Sequence, residues 1–146
     1  MFNIRVYGIY INSKKQVLVS DEIIRGLAYT KFCGGGMEFG EGTIDCLKRE
    51  FKEEMNLQID VGEHLYTTSF FQQSAFNPSH QIISIYYYIH PLEDVEQKII
   101  ENQKKYKSDV HHNSEIFRLM EWDDFSSESL SLPIDKIVAN LLKQKH

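Results

Sequence analysis

Three glutamates near the middle of the chain have the residue type and the spacing of a metal site. Glu50, Glu53 and Glu54 are related as i, i+3 and i+4, so they share one face of a helix. Like charges at this spacing repel one another, and their crowding favours protonation of one carboxylate. A hard divalent cation such as Mg²⁺ removes both penalties, because it prefers oxygen ligands. A solvated acidic helix face is the alternative for such a pattern on its own.

A glycine-rich segment lies directly before the predicted helix and favours the metal site. Glycine allows positive φ and a close approach of the backbone to a ligand. The glycines are Gly34, Gly35, Gly36, Gly40 and Gly42. The helix is predicted over residues 44–55, with Thr43 as its cap. An apolar stripe at three- and four-residue spacing anchors it in the core, and the carboxylate face points toward the glycines. The stripe consists of Ile44, Leu47, Phe51 and Met55.

Residues 35–57 resemble the Nudix box of the MutT-like hydrolases. The pattern of that box is G-x5-E-x7-R-E-U-x-E-E-x-G-U, where U is a bulky apolar residue. The matching residues are Gly35, Glu41, Arg49, Glu50, Phe51, Glu53, Glu54 and Leu57. One position departs from the pattern, because Asn56 stands where the family usually has glycine. Asparagine is the commonest substitute for glycine in the left-handed conformation that ends a helix, so the departure is mild.

The resemblance implies a Mg²⁺-dependent pyrophosphohydrolase, with Mn²⁺ as the alternative ion. It assigns Glu50 and Glu54 as principal metal ligands, and Glu53 as a further ligand or the general base. A carbonyl of the glycine loop, near Gly35, is expected to join the metal shell. Arg49 is expected to orient the glutamates through ion pairs. In such chemistry the metal neutralises the diphosphate and makes a bound water acidic, and a carboxylate accepts the proton.

Residues outside the box are weaker candidates. Glu115 precedes a predicted late strand, where Nudix relatives often carry a further glutamate that acts as base or ligand. A surface glutamate at a strand start is an equally good interpretation. Glu121 is weaker still, and Trp122 is predicted as a core residue rather than a platform for a nucleobase. His111 and His112 are adjacent on a polar segment, which favours a solvated loop over a metal pair.

The length, charge and cysteine content of the chain limit the kinds of protein that it can be. The 146 residues are predicted to form one domain over 1–146, with a formal charge of −5 from 16 basic and 21 acidic residues. No polybasic run is present, which argues against a dedicated nucleic-acid binder. Cys33 and Cys46 have no disulfide or zinc spacing, so a reducing cytoplasm is predicted. No signal peptide or membrane-spanning apolar stretch is recognised.

Residue patterns elsewhere predict an alternation of strands and helices. Strands are predicted at 2–11, 16–20, 27–33, 57–61, 64–75, 81–90 and 115–122. Residues 21–26 are predicted as a loop, and a helix is favoured within the polar segment 92–113. Pro133 marks the start of a last helix with a clean apolar face. These elements indicate a layered α/β fold. The resemblance makes it an α/β/α sandwich with a mixed central sheet and the box as loop–helix–loop.

The sequence predicts the class of substrate but not the individual molecule. The resemblance implies a small nucleoside diphosphate derivative, such as a nucleoside triphosphate, a nucleotide sugar or an ADP-ribose-like molecule. No residue pattern selects the substrate-binding side chains. Homodimers are common in the family that the chain resembles, but no residue pattern in this sequence predicts one. The rival hypothesis is a Nudix-fold module that binds a nucleotide without hydrolysis, and the complete glutamate set argues against it.

Overall fold

The computed structural model describes residues 1–108 and 115–146, with side chains omitted from 105 to 108. Its strands are β1 (Phe2–Ile9), β2 (Gln16–Ile24), β3 (Leu27–Lys31), β4 (Cys33–Gly36), β5 (Ile59–Thr67), β6 (Gln81–Pro91) and β7 (Glu115–Glu121). Its helices are α1 (Thr43–Met55), α2 (Val95–Ser108) and α3 (Pro133–Lys145), with a short 3-10 turn at Ser127–Ser129. The interpretation of His111 and His112 as loop residues falls outside the described part of the chain.

The first compact unit comprises Met1–Ile9 and Gly34–Glu93. Its sheet has the strand order β4-β1-β6-β5. Strands β1 and β6 are parallel, whereas β5 and β6 are antiparallel with irregular register between Val61 and Tyr66. The predicted mixed sheet is therefore confirmed. Helix α1 packs against β1 and β5.

The second compact unit comprises Tyr10–Cys33 and Asp94–His146. Its three-stranded sheet has the order β3-β2-β7, and both strand pairs are antiparallel. Helix α2 contacts β7, and α3 contacts the 3-10 turn. The largest side chains buried in this unit are Leu18, Phe32, Phe117, Phe125, Leu130 and Leu142. The described helices all fall short of the length and apolar character that crossing a bilayer requires.

The sequence predicted the end of helix α1 correctly but not its N-cap. The predicted role of Thr43 as the cap is wrong, because Gly42 is the N-cap and offers no side chain. Thr43 lies inside the helix, and its hydroxyl pairs with the hydroxyl of Tyr87 at 2.8 Å. The end matches the prediction, since Asn56 adopts the left-handed conformation with φ of 52°.

The apolar stripe of α1 is buried except at its first residue. Leu47, Phe51 and Met55 are almost fully buried, whereas Ile44 is 47% exposed. Close packing of the helix against the sheet depends on Gly8 in β1. A Cβ at Gly8 would lie 2.8 Å from side-chain atoms of both Phe51 and Ile89. Only glycine therefore lets the aromatic ring of the helix approach the central strand this closely.

Several predicted element boundaries are wrong. Residues 21–24 continue strand β2, because all four pair with β3 and the first two also pair with β7, where the carboxylate of Asp21 binds Arg118 at 2.6 Å. The predicted strands 57–61 and 64–75 are one strand, β5, which begins at Ile59 and ends at Thr67. The first glycines of the box form strand β4 beside β1, so the loop of the box begins at Met37. The helix favoured within 92–113 is confirmed as α2, with Val95 and Ile99 buried.

The left-handed end of α1 gives a test of the departure at Asn56. Asn56→Ala is expected to lower the free energy of unfolding by about 1 kcal/mol, because a Cβ without a polar group is disfavoured in this conformation. Asn56→Gly is the matched variant and should be neutral or slightly stabilising. Urea denaturation followed by circular dichroism measures both. An alanine variant as stable as the glycine variant would contradict the account.

Candidate active site

The site in the first unit is organised by the guanidinium of Arg49, which donates hydrogen bonds to three carboxylates and one carbonyl and lies 3.7 Å from a fourth carboxylate, that of Glu38. Nε and Nη2 donate to Glu41 at 3.0 and 2.7 Å. Nη1 donates to Glu50 at 3.0 Å and to Glu53 at 3.1 Å. Nη2 also donates to the backbone carbonyl of Gly36 at 2.9 Å. Arg49 therefore binds its own helix and the preceding glycine segment at once.

These contacts set the protonation states around Arg49. The hydrogen bonds from Arg49, followed by one from the backbone N–H of Glu38, lower the pKa of Glu41 to about 2. The hydrogen bond to Glu41 also raises the pKa of Arg49 against the opposing effect of burial. Burial and the charge of Glu41 raise the pKa of the Cys46 thiol to about 12. At neutral pH the site thus holds a charged arginine, an ionised Glu41 and a neutral thiol.

Gly35 provides the surface on which the Glu50 carboxylate rests. A Cβ built at Gly35 would overlap all three atoms of that carboxylate. The Glu50 side chain is correspondingly only 12% exposed, whereas that of Glu53 is 59% exposed. The two carboxylates therefore differ in environment, with Glu50 fixed against the backbone and Glu53 in contact with solvent. Glu54 is partly buried on the same helix.

Arg5 on strand β1 interacts electrostatically with Glu50 and Glu54, and the sequence interpretation missed it. Its Nε donates to the hydroxyl of Tyr7 at 2.8 Å. Burial acts to lower the pKa of Arg5, but its interactions with Tyr7, Glu50 and Glu54 outweigh that effect and raise it. The signal that could have identified this residue is a charge in the middle of an apolar strand, two positions before a tyrosine.

Glu115 belongs to the second unit, at the start of β7. It accepts a hydrogen bond from the Ser20 hydroxyl at 2.6 Å and pairs with Lys31 at 3.3 Å. The Lys31 side chain is only 7% exposed and also pairs with Glu22 at 3.7 Å. The carboxylate of Glu115 is therefore held by a buried cation, a contact that sequence spacing does not reveal. Its role as a base or ligand stays a prediction.

Trp122 and Glu121 have structural contacts in the second unit. The Trp122 ring stacks on Phe125 with centroids 5.6 Å apart, and the Lys143 ammonium lies 4.0 Å from its centroid. Glu121 accepts a hydrogen bond from the side chain of Gln16 at 2.7 Å. These contacts agree with the preference for Trp122 as a packing residue, although its ring is only partly buried.

The oxygen atoms gathered around Arg49 are chemically suited to bind a hard cation. Within residues 1–104 and 115–146, no group of three or more His, Cys, Asp or Glu side chains is arranged to hold a metal ion. Arg49 instead provides the positive charge between Glu50 and Glu53. The available donors are carboxylate and carbonyl oxygens, which Mg²⁺ prefers. The Gly35 cradle also accommodates one of these carboxylates closely.

The pKa of Glu41 gives a pH-dependent test of the Arg49 cluster. A carboxylate with a lowered folded-state pKa contributes stability above its unfolded pKa near 4.5, and this is lost as the pH falls toward 2. Glu41→Gln should therefore destabilise the protein at pH 7, and its difference from wild type should shrink between pH 4.5 and 2. Urea denaturation at several pH values measures this.

A matched control removes a different carboxylate from the same unit. Glu63 is an exposed residue of β5, so Glu63→Gln makes the same chemical change away from Arg49. A Glu41→Gln difference that stays constant from pH 7 to the acid limit would contradict the pairing of Glu41 with Arg49. A change in both variants together would assign the effect to overall charge.

Comparison with known proteins gives the family. The NUDIX domain model matches residues 1–141. The solution structure of the Escherichia coli ORF135 protein superposes with a TM-score of 0.68 at 15% identity, covering 98% of this chain and 89% of that chain. The MutT protein of Methanosarcina mazei Go1 gives 0.67 at 14% identity, with 99% and 94% covered.

A third structure comes from a study of MutT from Aliivibrio salmonicida and Vibrio cholerae. It has a TM-score of 0.58 at 17% identity and covers 99% of both chains. At these identities the structures show a shared fold. No curated protein sequence matches the chain at a significant level. Because the family model spans nearly the whole chain and its box residues assemble around Arg49, the chain belongs to the Nudix family of hydrolases.

Proposed function

We propose that this chain hydrolyses a phosphoric anhydride bond in a small nucleoside diphosphate derivative and requires Mg²⁺, with Mn²⁺ as the alternative ion. The observation that carries the proposal is the cluster in which Arg49 gathers Glu41, Glu50 and Glu53 against the glycine segment. Crowded carboxylates beside a closely approached backbone suit a substrate whose phosphates arrive with a divalent cation. Nucleoside triphosphates, nucleotide sugars and ADP-ribose-like molecules all meet this description.

The environment of each glutamate supports a division of roles. Glu50 is fixed against Gly35, so it would serve as a metal ligand together with Glu54 and the Gly35 carbonyl. Glu53 has the more exposed carboxylate, which suits contact with the attacking water. The bound metal would supply charge neutralisation of the diphosphate and acidification of a water molecule. Glu53 would then accept the proton of that water as the general base.

Arg49 would act on the glutamates rather than on the substrate. Its five N–H groups form a rigid fork, and the structure uses that fork to hold Glu41, Glu50 and the Gly36 carbonyl in fixed positions. Holding the ligands in position lowers the entropy cost of binding the metal and the substrate. Glu115, whose carboxylate pairs with Lys31 in the second unit, stays a predicted alternative base or further metal ligand.

The cysteines, the net charge and the length of the chain support proposals about its compartment, its substrate class and its domain organisation. Cys33 and Cys46 are buried and form no disulfide, which supports a reducing cytoplasm. The formal charge of −5 and the absence of a basic run support a small-molecule substrate rather than a nucleic acid. We also propose that residues 1–146 work as one domain. A homodimer stays a prediction that the elution volume in size-exclusion chromatography tests.

The proposal is tested by phosphate release from a panel of nucleoside triphosphates and diphosphate derivatives, with Mg²⁺ and with EDTA. Glu53→Gln is expected to lower kcat by about 10²- to 10⁴-fold, the usual contribution of a general base. Glu54→Gln is expected to abolish metal-dependent turnover and to weaken Mn²⁺ binding measured by electron paramagnetic resonance. Both variants should keep the circular dichroism spectrum of the wild type.

Glu63→Gln is the matched control, because it removes an exposed carboxylate of β5 and should retain activity. Full activity of Glu54→Gln would overturn the metal assignment. A wild type that binds Mn²⁺ and nucleotide but turns over no member of the panel would instead favour the non-catalytic binding module. EDTA-resistant turnover would contradict metal dependence.

A further inference from the structure

Arg5 is held rigidly at one side of its guanidinium. Its Nε donates to the Tyr7 hydroxyl at 2.8 Å. Tyr7 is only 4% exposed, and its ring stacks on Tyr86 with centroids 5.0 Å apart and planes 25° apart. Tyr86 is itself buried. Because the tyrosine ring is fixed by packing, the orientation of the Arg5 guanidinium is fixed as well.

The other side of the guanidinium has unused donors. Neither Nη1 nor Nη2 of Arg5 makes a hydrogen bond to any residue within 1–104 and 115–146. No side-chain nitrogen or oxygen of these residues is both sealed from solvent and without a partner, so the Nη groups reach solvent. A guanidinium fixed at Nε and open at its fork can bind two oxygens of one phosphate group.

An open recess lies directly beside this fork. It is the side-chain position of Gly36, where a Cβ would have only Arg5 Nη1, at 3.6 Å, and Asn3 Oδ1, at 3.8 Å, within 4 Å outside its chain neighbours. The carbonyl of the same glycine accepts a hydrogen bond from Arg49. Gly36 therefore lies between the guanidinium that orders the glutamates and a second guanidinium that has donors to spare.

The charges around Arg5 connect it to the proposed metal ligands. Glu50 and Glu54 both act on the charge of Arg5. Arg5 therefore lies within electrostatic reach of the carboxylates that would bind the metal. A diphosphate held there would have cationic groups on two sides, which an acidic protein needs for an anionic substrate.

We propose that Arg5 is a substrate-binding residue whose Nη fork binds phosphate oxygens of the diphosphate in the recess at Gly36. The inference rests on the proposed function, because it names a group that would hold the substrate of that reaction. Asn3 lines the same recess and would add a polar contact. Tyr7 is a positioning residue, since it acts through the Arg5 guanidinium. In the alternative, Arg5 only balances the charge of the glutamates.

The test compares Arg5→Gln and Arg5→Lys in the full chain. Arg5→Gln should raise KM about tenfold or more while kcat changes much less, because a phosphate contact made in both ground and transition states is lost. Arg5→Lys, which keeps the charge but not the fork, should lie between Arg5→Gln and wild type. Arg118→Gln removes another arginine, one paired with Asp21 in the second unit, and is the matched control.

Calorimetry provides a readout independent of turnover. Adenosine 5′-methylenediphosphonate with Mg²⁺ should bind Arg5→Gln about tenfold or more weakly than wild type, whereas adenosine should bind both equally. Tyr7→Phe should weaken binding of the diphosphonate to a smaller extent. If Arg5→Gln does not fold, Tyr7→Phe and Arg5→Lys are the variants that test the proposal. If Arg5 only balanced the charge of Glu50 and Glu54, Arg5→Gln would strengthen Mn²⁺ binding, because a nearby positive charge is removed, and would not weaken binding of the diphosphonate.

The outcomes separate this inference from the proposed function. If the wild type is active, and the KM and the diphosphonate affinity of Arg5→Gln lie within about twofold of the wild-type values, the role of Arg5 alone is overturned. If Arg5→Gln does not fold, unchanged KM in both Arg5→Lys and Tyr7→Phe would do the same. A wild type that binds the diphosphonate through Arg5 but hydrolyses nothing would overturn the proposed function and leave the phosphate contact supported.

Discussion

The central constraint on this protein is the crowding of carboxylates on one face of α1 and the cation that relieves it. Glu50 and Glu53 lie on the same helix face, where their charges repel. Arg49 stands between them and reaches back to Glu41 and the Gly36 carbonyl. The helix, the loop before it and strand β4 are thereby tied to one guanidinium. The glutamates are held apart in defined positions, which suits the metal-binding role that we propose for them.

The scaffold of the first unit supports this arrangement through close backbone approaches. Gly8 brings Phe51 of α1 against the central strand β1. Gly35 brings the Glu50 carboxylate against strand β4. Because β4 and β1 are neighbours in the sheet, the helix, the glycine segment and Arg5 meet in one region of this unit. Glycines at two points thus decide how near the helix and one of its carboxylates lie to the backbone of the sheet.

The second unit shows a different solution to buried charge. Lys31 is almost fully buried, yet it pairs with both Glu22 and Glu115, and Ser20 donates to Glu115. Removing either glutamate would leave part of a buried positive charge uncompensated, which is costly. These ion pairs join the three strands of the sheet, since the residues come from β2, β3 and β7. Glu115 therefore has a structural partner in addition to its proposed chemistry.

Periodicity and local conformation were enough to predict much of the fold and part of the site. The box spacing predicted helix α1, its carboxylate face and the left-handed Asn56, because these depend on residues within a few positions of one another. Runs of β-branched and aromatic residues predicted β1 and β6 for the same reason. Boundaries failed where pairing partners decided the outcome, as at residues 21–24, whose charges are accommodated between two neighbouring strands.

What the tertiary structure alone decided is which distant residues become partners. Sequence assigned Arg49 to the glutamates in general, whereas folding selected Glu41 and the Gly36 carbonyl as its further acceptors. Sequence left Arg5 unnoticed in an apolar strand, and packing placed its guanidinium beside Gly36 with Tyr7 as its support. The physical reason is that helix and strand formation follow local periodicity, whereas the environment of a charge depends on side chains that only the folded sheet brings together.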